Sequence, residues 1–114
     1  MPRDYKVFLK DIANAIERIE EYTVKLSYED FYKNRLVQDA VVRNLEIIGE
    51  AVKHLPDDIQ RKYPDIEWKK IAGLRDILIH AYFGVDHEIV WDVIKNKVPE
   101  LKKQISEIIR KRKK

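Results

Sequence analysis

The sequence predicts an all-α fold, an antiparallel up-down bundle of four or five helices, and three observations carry that prediction. Apolar residues recur at spacings of three and four along almost the whole chain. No segment alternates with the period of two that a half-buried strand requires. Only three glycines and four prolines interrupt 114 residues. At this length one domain spanning 1–114 is expected, burying about two-thirds of its unfolded surface, enough for a modest core without staples.

The elements follow in order. Tyr5, Phe8, Leu9, Ile12, Ile16, Ile19, Tyr22 and Leu26 form one stripe of a first long helix. Ser27 reads as a helix cap followed by the acidic first turn Glu29 and Asp30, so a short helix is expected there. A second long helix spans about 35–54, with Leu36, Val37, Ala40, Val41, Leu45, Ile48, Ala51 and Val52 as its apolar positions. Between Pro56 and Pro64 there is room for a turn or two of helix at 57–63. A third main helix covers about 67–83, with Trp68, Ile71, Leu74, Leu78 and Ala81 facing inward and Gly84 closing it. Asp86 caps the last helix, which carries Trp91, Ile94, Val98, Leu101, Ile105 and Ile108. Pro99 falls inside that pattern and predicts a kink or a break. Gly49, in the middle of a helix, signals a close approach either within the chain or between two copies.

Composition removes several functions. With no cysteine there is no disulfide framework, zinc knuckle or thiol nucleophile. The few small hydroxyls, Thr23, Ser27 and Ser106, sit in no nucleophile elbow, and no glycine-rich phosphate loop exists. His54, His80 and His87 show no metal-binding spacing, so no metal or bound cofactor is expected. No apolar run reaches the ~18 residues of a membrane span, and the start of the chain has no signal-peptide core, which points to the cytoplasm and to no membrane partner. The net charge of +3 is carried by the tail Arg110-Lys111-Arg112-Lys113-Lys114. Without it the body is slightly acidic, and the tail reads either as a frayed, solvated helix end or as a handle for a polyphosphate partner.

One segment stands apart. Arg75-Asp76-Ile77-Leu78-Ile79-His80-Ala81-Tyr82 sets four polar groups into the most apolar stretch of the chain. On an ideal helix Asp76 and His80 are i,i+4 neighbours, so the carboxylate can hold one imidazole nitrogen. Arg75 and Tyr82 lie about 20° from alignment. Arg75 and His80 are about 140° apart around the axis and converge only if the arginine curls round or a second chain completes the pocket. The plain alternative is an Arg75–Asp76 ion pair with His80 and Tyr82 as amphipathic core edges.

Arg75-Asp76-x-x-x-His80 resembles the motif of HEPN domains, and Arg75-x4-His80-x-Tyr82 is similar to the HepT toxin branch of that superfamily. Two further blocks share the resemblance: Arg43-Asn44-Leu45-Glu46-Ile47-Ile48-Gly49-Glu50-Ala51, and Ile66 through Asp76. Asp76 stands where asparagine is frequent in the family, and Ala81 where glycine is common. The resemblance implies a single HEPN-like helical domain and a homodimeric, metal-independent endoribonuclease. Its implied partner is the minimal nucleotidyltransferase antitoxin MntA, in a toxin–antitoxin system. It assigns catalysis to Arg75 and His80, a supporting role to Asp76, and AMPylation to Tyr82, with ATP entering only as the partner's AMP donor. A dimer or antitoxin contact is a second reading of Arg43, Glu46 and Glu50, whose ordinary meaning is a solvated face. The competing class is a non-catalytic HEPN adaptor or substrate-binding partner of a nucleotidyltransferase.

Overall fold

The computed structural model describes residues 4–79 and 86–112, the side chains of 75–79 excepted. Every described element is helical. Helix α1 (Tyr5–Thr23) starts at Asp4, whose carboxylate accepts the Lys6 backbone N–H at 3.0 Å. Leu9, Ile12, Ile16 and Ile19 bury its stripe as expected. Its end differs from expectation. Thr23 takes the last inward position and donates its hydroxyl to the Ile19 carbonyl at 2.8 Å. Tyr22, one residue and hence about 100° away, is exposed, and Leu26 falls beyond the helix.

Helix α2 (Tyr28–Lys33) opens on a reciprocal capping box. The Ser27 hydroxyl accepts from the Asp30 N–H, and the Asp30 carboxylate accepts from the Ser27 N–H, each at 3.1 Å. Asn34 then caps α3 (Arg35–Lys53) by accepting the Val37 N–H at 3.1 Å. Val41, Leu45, Ile48, Ala51 and Val52 are buried, but Leu36 is 82% exposed. It lies seven residues before the exposed Arg43, about 20° from it, and so on α3's solvent side. Helix α4 (Asp57–Lys62) follows Pro56, and α5 is Trp68–Ile79. The predicted continuation to 83, the inward positions Leu78 and Ala81 and the Gly84 cap fall outside what the structure describes.

Asp86 caps α6 (His87–Asp92) by accepting the Glu88 and Ile89 N–H groups. A π-helical turn, Val93–Lys97, then joins α6 to α7 (Val98–Lys111). Pro99 disturbs the helix as expected, but the disturbance is a widening ahead of it rather than a break at it. The Val98 N–H reaches back five residues to the Val93 carbonyl, which gives the proline ring room in the preceding turn.

The long helices α1, α3, α5 and α7 make the bundle, with α1 against α3 and α7, and α3 against α5. Contacts at opposite ends fix the up-down order. Phe8 at the start of α1 stacks on His54 just past the end of α3, ring centroids 5.0 Å apart. Glu20 and Tyr5 of α1 meet Lys102 and Arg112, at 2.8 and 3.3 Å. Gly49 is buried on α3. No described helix is long and apolar enough to cross a membrane.

The basic tail is corrected in part. Arg112 is no frayed end: its guanidinium lies over the rings of Tyr5 and Tyr63, 5.6 and 5.9 Å from their centroids. Arg110 pairs with Glu107 at 3.6 Å. Two of the five basic residues therefore serve the fold's own surface.

Candidate active site and its surroundings

Helix α5 carries the motif, and its start is set firmly. Trp68 is buried, and its indole N–H is shared by the carbonyls of Gln60 and Tyr63, at 3.1 and 3.0 Å. The Gln60 amide in turn donates to the Val52 and Leu55 carbonyls. The end of α3, α4 and the start of α5 are thus tied by part-buried side chain to backbone bonds, a stiffer connection than a loop of the same length.

A second tie holds α5 to the far side of the bundle. Glu67 bonds Lys70 at 2.9 Å and reaches Lys97 of the π turn at 3.7 Å. Its carboxyl is held below the ordinary glutamate range, first by the Lys70 hydrogen bond, then by the charges of Lys70 and Lys97. The same bond pushes the Lys70 ammonium up. Behind this pair lies a cavity of about 240 Å³ between α5 and α7, with Leu45, Ile48, Ile71, Leu74, Val98 and Leu101 among the residues lining it. The first half of α5 is therefore a rod pinned at its start by Trp68 and clamped to the π turn by Glu67.

The rod carries Arg75 and Asp76 beyond Leu74, in its second half. Their side chains, all of His80 and Tyr82, and with them the expected convergence of Arg75 and His80, lie outside the described residues. Gly73, just before the pair, has no described atom within 4 Å of an added Cβ. Of the flanking block on α3, Arg43 and Glu46 are 3.9 Å apart, and Glu50 approaches His54 at 3.4 Å. Asn44, in the same block, is buried; its amide donates to the Ala40 carbonyl at 2.8 Å while its own carbonyl oxygen has no hydrogen-bond partner among the described residues.

The chain matches the family described as "Ribonuclease HepT-like" over residues 12–108. It belongs to the HepT-like ribonuclease family. A Methanocaldococcus jannaschii protein named as a candidate RNase is 49% identical, the match covering 96% of this chain and 92% of that one. A Thermococcus cleftensis protein named as a candidate ribonuclease HepT is 51% identical, covering 90% and 93%. A Caldanaerobacter subterraneus protein, also named as a candidate RNase, is 47% identical over 98% and 97%. No solved structure matches the chain. Family and relatives support a ribonuclease, and the all-α bundle agrees with the HEPN-like fold expected from sequence.

Residues outside the motif also bear on this HepT-like chain. Short helices α2 and α6 meet through aromatic rings: Tyr28, Phe31 and Tyr32 from one, His87 and Trp91 from the other. The sequence places Trp91 on the apolar stripe of the last helix and assigns no role to Tyr28, Phe31, Tyr32 or His87. The available signal was a pair of aromatic residues at i,i+4 on each short helix, Tyr28/Tyr32 and His87/Trp91. Burial pushes the Tyr28 phenol up, with the Glu88, Tyr32 and Asp86 charges adding to it.

Proposed function

We propose that this chain is the toxic endoribonuclease of a HepT/MntA-type toxin–antitoxin pair, cutting RNA without a metal ion. What supports the reading is one motif, Arg75-x4-His80-x-Tyr82, beginning on α5 in a chain of the HepT-like ribonuclease family. RNA brings its own nucleophile, the ribose 2′-hydroxyl, so a chain without cysteine can still cleave it. His80 moves the proton as general base or acid, its ordinary pKa lying near working pH. Arg75 holds the scissile phosphate through paired N–H donors and stabilises the charge that develops on it. Asp76 orients one of the two.

A two-fold homodimer lays two motifs along one cleft and supplies one histidine as base and another as acid. The cognate nucleotidyltransferase silences the site by moving AMP from ATP to the Tyr82 hydroxyl, with pyrophosphate leaving. Each added phosphodiester puts negative charge and bulk where substrate phosphate must sit. RNA, the homodimer and this antitoxin are the partners, in the cytoplasm.

The deciding experiment expresses the wild type and His80→Ala alone and compares growth and RNA integrity. His80→Ala should lose about 10²–10⁴-fold of the cleavage rate. Equal behaviour of the two would reassign the chain to the non-catalytic adaptor class. Tyr82→Phe should keep cleavage and escape neutralisation, with mass spectrometry finding AMP on the wild type alone. Activity of a monomer in light scattering would remove the shared cleft.

A further inference from the structure

We propose that the aromatic cluster joining α2 to α6 is a base-stacking subsite for single-stranded RNA, beside the motif that cleaves it; this rests on the ribonuclease reading above. Phe31 is its fully buried hub, with Trp91 at 5.2 Å and His87 edge-on at 6.2 Å. Tyr28 lies 6.1 Å from Trp91 and 6.0 Å from Tyr32. Tyr32 meets His87 at 5.9 Å with planes at 86°, and remains 59% exposed. Two perpendicular rings make an open corner: one offers a face to stack on, the other an edge to a base.

The corner is preorganised. The Gln38 amide donates to both the Phe31 and Tyr32 carbonyls at 2.8 Å, the capping box fixes the start of α2, and Asp86 fixes the start of α6. Rings held this way lose little freedom on binding, as stacking platforms require. Every nucleobase has a π face, and Tyr, Trp and His rings are the usual supports for an unpaired one.

Charge distinguishes bases from phosphates here. Lys95 sits 4.8 Å above the Trp91 ring, and Lys33 closes α2. Against them stand Glu29, Asp30, Asp86 and Glu88, of which Asp30 and Asp86 are engaged as caps. That balance suits a base better than a track of phosphates, so binding at this corner should depend weakly on salt. Connectivity bounds how far the start of α6 lies from the motif. Asp86 caps α6 six residues after His80, a stretch that spans at most about 22 Å even when fully extended.

The test uses the full chain with a labelled mixed-sequence 12-nucleotide RNA for cleavage, and its 2′-O-methyl counterpart, which lacks the nucleophile, for binding. Tyr32→Ala should raise KM and the Kd for the uncleavable strand by about 5- to 150-fold. Tyr32→Phe should restore most of the loss. Tyr22→Ala, an exposed tyrosine elsewhere on α1, should behave as wild type. One abasic position at a fixed offset from the cut should erase the difference between wild type and Tyr32→Ala. Unchanged KM and Kd in Tyr32→Ala would overturn the subsite, as would a change confined to self-association or antitoxin capture, which would make the corner a protein contact. If wild type neither cuts nor binds any RNA, the ribonuclease reading fails first and takes the subsite with it.

Discussion

At the scale of single residues, Trp68 combines packing with a polar duty. Trp68→Phe keeps an aromatic ring but loses the bulk of the indole and the N–H that the Gln60 and Tyr63 carbonyls share. It should cost about 2–4 kcal/mol, the unmade bonds plus the void left behind, read as a lower denaturant midpoint with an unchanged slope. Gly73 carries the opposite expectation. A Cβ there meets no described atom within 4 Å, so Gly73→Ala should stabilise α5 by about 0.5–1 kcal/mol in thermal unfolding. Lost cleavage in that more stable variant would mean that substrate backbone passes close to the bare Cα. The apolar stripe residues were readable because their spacing repeats. Thr23, Gln38 and Asn44 were not: Thr23 and Asn44 turn their polar groups back onto the i−4 carbonyls of their own helices, and Gln38 finds carbonyls of α2.

At the scale of elements, the long helices and the caps at Ser27 and Asp86 followed from sequence, because those two side chains act on backbone within three residues of themselves. The π turn was only half legible. Pro99 announced a disturbance, yet its form depends on α7 keeping Val98, Leu101, Ile105 and Ile108 in the core. Pro99 sits in the first turn of α7, where a missing N–H matters least. Pro99→Ala should therefore shift stability by less than about 1 kcal/mol, far below the ~3 kcal/mol of a mid-helix proline. A gain of that larger size on denaturation would mean that the ring strains the turn. The aromatic corner is not legible in the sequence because its two halves lie more than fifty residues apart in the chain and meet only on folding, through Tyr28, Phe31 and Tyr32.

At the scale of the whole molecule, the folded surface is 7,962 Å², about a fifth above what a monomer of this mass usually exposes. Tyr32, Leu36 and Ile89 contribute apolar area to that excess. The motif was legible as a string; how its side chains meet is a matter of tertiary placement that no spacing encodes. Global stability should also carry an acid dependence from the clamp between α5 and the π turn. A carboxyl depressed by its partners, as Glu67 is, adds stability above the ordinary glutamate range and loses it as pH falls through its lowered value. Wild type should therefore exceed Glu67→Gln at neutral pH, with the gap closing on acidification and shrinking in high salt. A gap independent of both pH and salt in urea titrations would contradict the clamp.

The wide turn at Val93–Lys97 has a bearing on heredity as well as on shape. It stores one surplus residue between a helix that presents rings and a helix that seals the core. Deleting a single solvent-facing position there, such as Asn96, would take up that surplus and leave α6 near its phase against α7, at the expense of the room Pro99 uses. A one-codon loss in the regular turns on either side has no such reserve: it would swivel α6 by about 100° and swing His87 and Trp91 off Phe31.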